Sequence, residues 1–156
     1  VWIANYNCPG QIVISGKKVA VEEACEKLKA AGAKRALMLN VSGPFHSGML
    51  TGAGEKLAQV LADVDIHTPR IPYVANVNAQ PVTTAEPVKD LLTRQVSSSV
   101  RWQQSVETMI NEGVDTFIEI GPGRTLAGFM KKINKEVRTM NVEKLEDIDK
   151  VVEALK

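Results

Sequence analysis

The chain predicts an α/β layered fold with a mainly parallel sheet in its second half, and three observations carry that expectation. Short apolar, β-branched runs alternate with amphipathic stretches of helical period from one end to the other. Glycine and proline stand at most of the junctions. With 44% hydrophobic side chains in 156 residues there is material for one core, and no repeat, linker or low-complexity segment divides it.

The opening "VWIANYNCPG" is already apolar and strand-like, with no initiator methionine and no lead-in, and reads as a piece of something longer. "GQIVISG" (10–16) has a β-branched centre bounded by glycines and predicts a strand. A helix follows over 18–31, where Val21, Ala24, Cys25, Leu28 and Ala31 recur at helical spacing and Gly32 supplies the stop. "RALMLNV" (35–41) predicts a strand. From about 49 to 63, Leu57, Val60, Leu61 and Val64 form the apolar stripe of a second helix, which "HTP" ends. "IPYVANV" (71–77) is the next strand. Thr84 is expected to cap a helix through "AEPVKDLLTRQV", with Pro87 tolerated in its first turn. Then come a helix at about 102–112, the strand "DTFIEI", the turn "GPG", the helix "RTLAGFMKKI", the strand "VRTMNV" and a last helix in "EKLEDIDKVVEAL".

Composition removes several function classes. Nineteen basic and eighteen acidic residues leave a net charge of +1 with the signs interspersed, so neither nucleic acid nor a charged membrane is indicated as a partner. No apolar run approaches the roughly twenty residues that span a bilayer. Cys8 and Cys25 have neither metal-site nor disulfide-framework spacing, which fits a reducing, cytoplasmic setting and two buried thiols.

His46, in "VSGPFHSGML", is the residue most in need of an explanation. It stands just past a predicted strand, on a turn stiffened by Pro44, where open α/β sheets gather functional groups. A general base fits this position, and so does a capping or surface histidine. No G-x-S-x-G elbow accompanies it: Ser15, Ser42, Ser47 and Ser105 lack the glycine pair, and Ser97, Ser98 and Ser99 form a loop cluster. "IEIGPGRTLAG" has Gly121 and Gly123 but Leu126 where a dinucleotide fingerprint needs glycine, so a tight strand-to-helix turn is expected. Asn5, Asn7 and Gln11 surround a Pro-Gly turn and suit turn capping. Asp63, Asp65 and His67 lack a fourth partner for a metal, and no metal site is expected.

Taken in order, "NYNCPGQIVISG", "AKRALMLNVSGPFHSGML", "RQVSSSVRWQQSVETM" and "GVDTFIEIGPGRTLAGFMKKI" resemble the malonyl-CoA:acyl carrier protein transacylases of fatty acid synthesis. More distantly, they resemble the acyltransferase domains of polyketide synthases. The resemblance spans essentially the whole chain. It implies the C-terminal part of an α/β-hydrolase-like parallel-sheet domain plus a truncated ferredoxin-like subdomain. Residues 1–41 would be the remnant of the small subdomain (its last strand, helix and strand), and 42–156 the C-terminal part of the acyltransferase core.

The resemblance also assigns roles. His46 becomes the catalytic base, oriented by the main-chain carbonyl of Gln95 instead of an aspartate. Phe45 matches the bulky residue that favours malonyl over methylmalonyl groups, and Asn5 and Asn7 match a polar stretch near the cleft. The implied substrates are malonyl-CoA and the pantetheine thiol of acyl carrier protein, with no cofactor. The family's nucleophilic serine, its malonyl-binding arginine and an oxyanion-hole glutamine would all precede residue 1. The missing N-terminal half is therefore an expected partner, and the chain alone is expected to be inactive. Two alternatives share these features: a non-catalytic carrier-protein or CoA-binding module of the same fold, and a serine hydrolase.

Overall fold

The computed structural model describes residues 1–156, and its architecture is α/β. Two strands, β1 (Trp2–Cys8) and β2 (Gln11–Ser15), form an antiparallel hairpin. Its turn is Pro9–Gly10, and Gly10 takes φ +78, a conformation open to glycine at little cost. Register shifts between Ile3 and Asn5 and between Tyr6 and Cys8 interrupt β1. Helix α1 (Lys18–Ala30) follows, with only Cys25 of its apolar stripe buried.

Residues 35–41 do not form the expected strand. The segment has no regular secondary structure and pairs with no strand of the chain, and Leu37, Leu39 and Val41 are each more than half exposed. Apolar β-branched sequence makes a strand only where a neighbouring ladder accepts its amides and carbonyls, and no other strand of this chain lies beside it. In residues 1–41 the order is therefore strand, strand, helix.

A 3₁₀ turn at Gly48–Leu50 leads directly into α2 (Thr51–Ala62). Of the predicted stripe Leu61 is buried, whereas Val60 and Val64 are exposed. Two short strands, β3 (Tyr73–Ala75) and β4 (Gln80–Val82), make a second antiparallel pair. Helix α3 (Val88–Ser97) begins after Pro87, and Thr84 makes no cap to it. Ala75, Val77, Val82, Val88 and Leu91 form one apolar cluster that seats α3 on this hairpin. Helix α2 packs along α3 at Gly54, where a Cβ would come within 3.0 Å of Thr93 O, so the small residue permits the close approach.

Helix α4 (Trp102–Asn111) precedes β5 (Thr116–Ile120), α5 (Thr125–Ile133), β6 (Arg138–Val142) and α6 (Leu145–Ala154). Strands β5 and β6 are the parallel pair expected of the second half. The sheet there has only these two strands, and the chain's three sheets are separate two-stranded pairs.

Only 15 of 156 residues are buried, and Ile120 on β5 is 79% exposed although parallel strands are ordinarily covered on both faces. The chain in isolation is therefore expected to bind an apolar-surface dye strongly and to unfold over a broad, weakly cooperative range. Thermal denaturation followed by circular dichroism, with dye fluorescence, checks this. A monomer that binds little dye and melts sharply would show that the exposed faces need no cover.

Candidate functional site

Helix α3 ends at Ser97, so the carbonyl of Gln95 in its last turn has no amide four residues on to accept. His46 takes it. The imidazole Nδ1 lies 3.0 Å from Gln95 O, a contact between residues 49 apart in sequence. A carbonyl oxygen only accepts, so Nδ1 carries the proton, and in the neutral ring Nε2 presents its lone pair. No carboxylate pairs with His46.

The backbone at His46 is left-handed, φ +55, a conformation that costs a non-glycine residue about 1–3 kcal/mol unless its surroundings enforce it. The enforcement is visible on both sides. Ser47 is fully buried, and its hydroxyl donates to Pro44 O at 2.6 Å, closing the turn around His46. Leu50 N donates to Ser47 O and starts the 3₁₀ turn. The Trp2 indole lies over Gly48, where a Cβ would come within 3.1 Å of it.

The segment after α3 is bonded to β1. Val100 N donates to Ala4 O at 2.7 Å, Tyr6 N donates to Val100 O at 2.9 Å, and Ser99 Oγ donates to Ile3 O. Gln95 Nε2 donates to Ser98 O at 3.1 Å and fixes the helix exit. Beside His46 lies an open cavity of about 450 Å³ whose lining includes Trp2, Tyr6, Arg94, Ser98 and Arg101. Of its two arginines, Arg94 is paired with Asp90 at 3.1 Å.

His46 and Gln95 thus meet directly. Phe45, 54% exposed, folds its ring back toward Gly43. Asn5 and Asn7 are half-buried on β1 and do not line the cavity; Trp2, Ile3 and Tyr6 of the same strand do. Sequence reasoning missed these, along with Arg94 and Arg101, and weighed Ser47 only as a nucleophile. The only available signal was adjacency to the quoted motifs.

The remaining candidates fall elsewhere. The amides of the "GPG" turn and of the α5 start are occupied: Gly121 N donates to Val142 O, Gly123 N to Glu143, and Leu126 N and Ala127 N to Glu119. A phosphate would meet negative charge there. Asp65 and His67 are both highly exposed at 3.7 Å from one another, and no cluster of three metal-ligating side chains forms. Displaced titrations also lie outside the site. Glu23 is lowered and Lys27 raised by their shared hydrogen-bonded ion pair, and Lys29 is raised by Glu26. Asp147 is lowered chiefly by the Lys144 amide and by Lys150.

On this α/β scaffold a histidine is held by a helix-end carbonyl, and the chain belongs to the acyl transferase domain family, whose model matches residues 1–148. Among its relatives, the malonyl CoA-acyl carrier protein transacylase of Bacillus subtilis (strain 168) is 47% identical over 156 residues, all of this chain and 49% of that protein. The protein of the same name in Staphylococcus aureus (strain COL) is 45% identical over 145 residues, 93% of this chain and 47% of that one. The crystal structure of the acyl-carrier-protein-S-malonyltransferase from Bartonella henselae superposes with a TM-score of 0.93 at 40% identity, covering 98% of this chain and 49% of that one. A malonyl-transacylase solved in complex with a type II PKS acyl-carrier protein gives 0.94 at 41%, covering 97% and 49%. The chain spans about half the length of the curated relatives it matches. No helix is long and apolar enough to cross a membrane.

Proposed function

We propose that these residues form the C-terminal half of a malonyl-CoA:acyl carrier protein transacylase acting in the cytoplasm, with His46 as its general base and Gln95 as the residue that orients it. The observation that carries the reading is the 3.0 Å contact from His46 Nδ1 to Gln95 O, which leaves Nε2 free without any carboxylate. A serine outside this chain is the nucleophile. His46 Nε2 takes the serine proton as the oxygen attacks the thioester carbonyl. Collapse of the tetrahedral intermediate breaks the C–S bond, and the imidazolium returns that proton to the coenzyme A thiolate. In the second half-reaction the carrier's pantetheine thiol gives its proton to His46 and attacks the acyl-serine, whose oxygen leaves and is reprotonated. No cofactor enters either step.

Phe45 would limit branching at the acyl α-carbon, an effect worth about 1–3 kcal/mol for one methyl group. The test uses the complete enzyme that this reading implies. It is loaded with labelled malonyl-CoA, freed of excess substrate, and divided between holo-acyl carrier protein and buffer. Label passing to the carrier while the buffer arm keeps its acyl-enzyme supports the transacylase. Rapid release of malonate in buffer would make the protein a hydrolase, and failure to acylate would leave a binding module.

A further inference from the structure

We infer that Ser47 is a positioning residue for His46. The inference rests on the reading of His46 as the base. The side chain next to the imidazole is the least exposed in the neighbourhood, 0% accessible on an otherwise half-exposed loop. Its hydroxyl donates to Pro44 O at 2.6 Å, three residues back.

That bond spans the one left-handed residue of the turn, His46. Without it, one of the contacts that offset the tendency of a non-glycine backbone to leave φ +55 is lost, and relaxation there swings the imidazole relative to α3. The ring would then lose its alignment with Gln95 O, and with it the preference for the Nδ1–H tautomer that leaves Nε2 as acceptor. The nucleophile reading of Ser47 is excluded by the same facts, since a buried hydroxyl committed to a carbonyl is neither reachable nor hydrogen-bonded to Nε2. Two supports thus act on one ring: Gln95 O holds its Nδ1, and Ser47 holds the backbone from which it projects.

The experiment uses the complete enzyme with Ser47→Ala, Ser47→Cys and, as a matched control, Ser105→Ala. Ser105 is equally buried, at 2% exposure, and donates to Arg101 O at 2.8 Å, but it makes no contact with the His46 turn. Single-turnover acylation, malonyl-CoA affinity and the nitrogen-15 spectrum of histidine-labelled protein are measured, with the His46 signals identified by their loss in His46→Ala.

Ser47→Ala is expected to slow acylation about 10- to 100-fold with affinity within about twofold, because a small misplacement of a catalytic group acts on the transition state. Its His46 signals should change from a single Nδ1–H tautomer to a mixture. Ser47→Cys, which keeps a weak donor, should recover part of both, and it carries the test if Ser47→Ala fails to fold. Ser105→Ala should change neither. Unchanged His46 signals and rate in Ser47→Ala, or an equal loss of rate in Ser105→Ala, would overturn the inference while leaving His46 as base. A parent enzyme that never acylates would instead overturn the transacylase reading, and the nitrogen spectra would still decide whether Ser47 sets the ring.

Discussion

Mixed alone with malonyl-CoA, the 156-residue chain is expected to gain no covalent mass and to release no malonate above the uncatalysed background. On the proposed reading His46 is the base, and its serine lies outside this chain. No hydroxyl or thiol hydrogen-bonds His46 Nε2, and the ring's hydrogen bond runs through Nδ1 to Gln95 O. Cys8 and Ser47 are 2% and 0% exposed. Ser99 is committed to Ile3 O. An unactivated serine hydroxyl is a poor nucleophile at neutral pH, so proximity without a base contact gives little rate. Intact-mass spectrometry after prolonged incubation reads the result directly. Stoichiometric acylation would overturn the half-site reading, and Ser98, which lines the cavity with His46, would be the residue to map first.

The same residues show why part of this site was legible in sequence and part was not. "GPFHSGML" announces a stiff turn leading into a helix, and that is its conformation: Pro44, the left-handed His46, then the 3₁₀ turn and α2. The left-handed backbone at His46 was invisible, because that conformation is signalled by glycine and here it is imposed by contacts from Ser47 and Gln95. Asn5 and Asn7 read by themselves as turn capping, and only the family resemblance places them near the cleft. The register shifts in β1 break its simple alternation, and the strand presents Trp2, Ile3 and Tyr6 to the cavity. "RALMLNV" has the composition of a strand, yet pairing is a property of two segments and the sequence of one cannot supply the other. β4, three residues with Pro81 at its centre, carries too little pattern to be seen at all.

Replacing His46 by alanine in the complete enzyme is expected to slow formation of the acyl-serine by about 10²–10⁴-fold, the range that general-base catalysis supplies, while malonyl-CoA affinity changes little. The asymmetry follows from where the imidazole acts. The ground-state thioester needs no base, so His46 contributes chiefly in the transition state, where the serine proton is in transfer and the new positive charge on the ring is stabilised by Gln95 O. Gln95→Ala separates the two halves of this argument. Alanine retains the main-chain carbonyl that meets Nδ1, and loses only the side-chain bond from Nε2 to Ser98 O. A single neutral hydrogen bond of that kind is worth about 0.5–1.5 kcal/mol, which as lost positioning corresponds to a slowing of about 2- to 10-fold. Single-turnover acylation and malonyl-CoA binding, measured on both variants, therefore predict a large loss in rate alone for His46→Ala and a small one for Gln95→Ala. If His46→Ala acylates at the parental rate while Gln95→Ala is inactive, the base has been assigned to the wrong residue. A His46→Ala enzyme that loses affinity as much as rate would show that the ring binds the substrate and does not activate the serine.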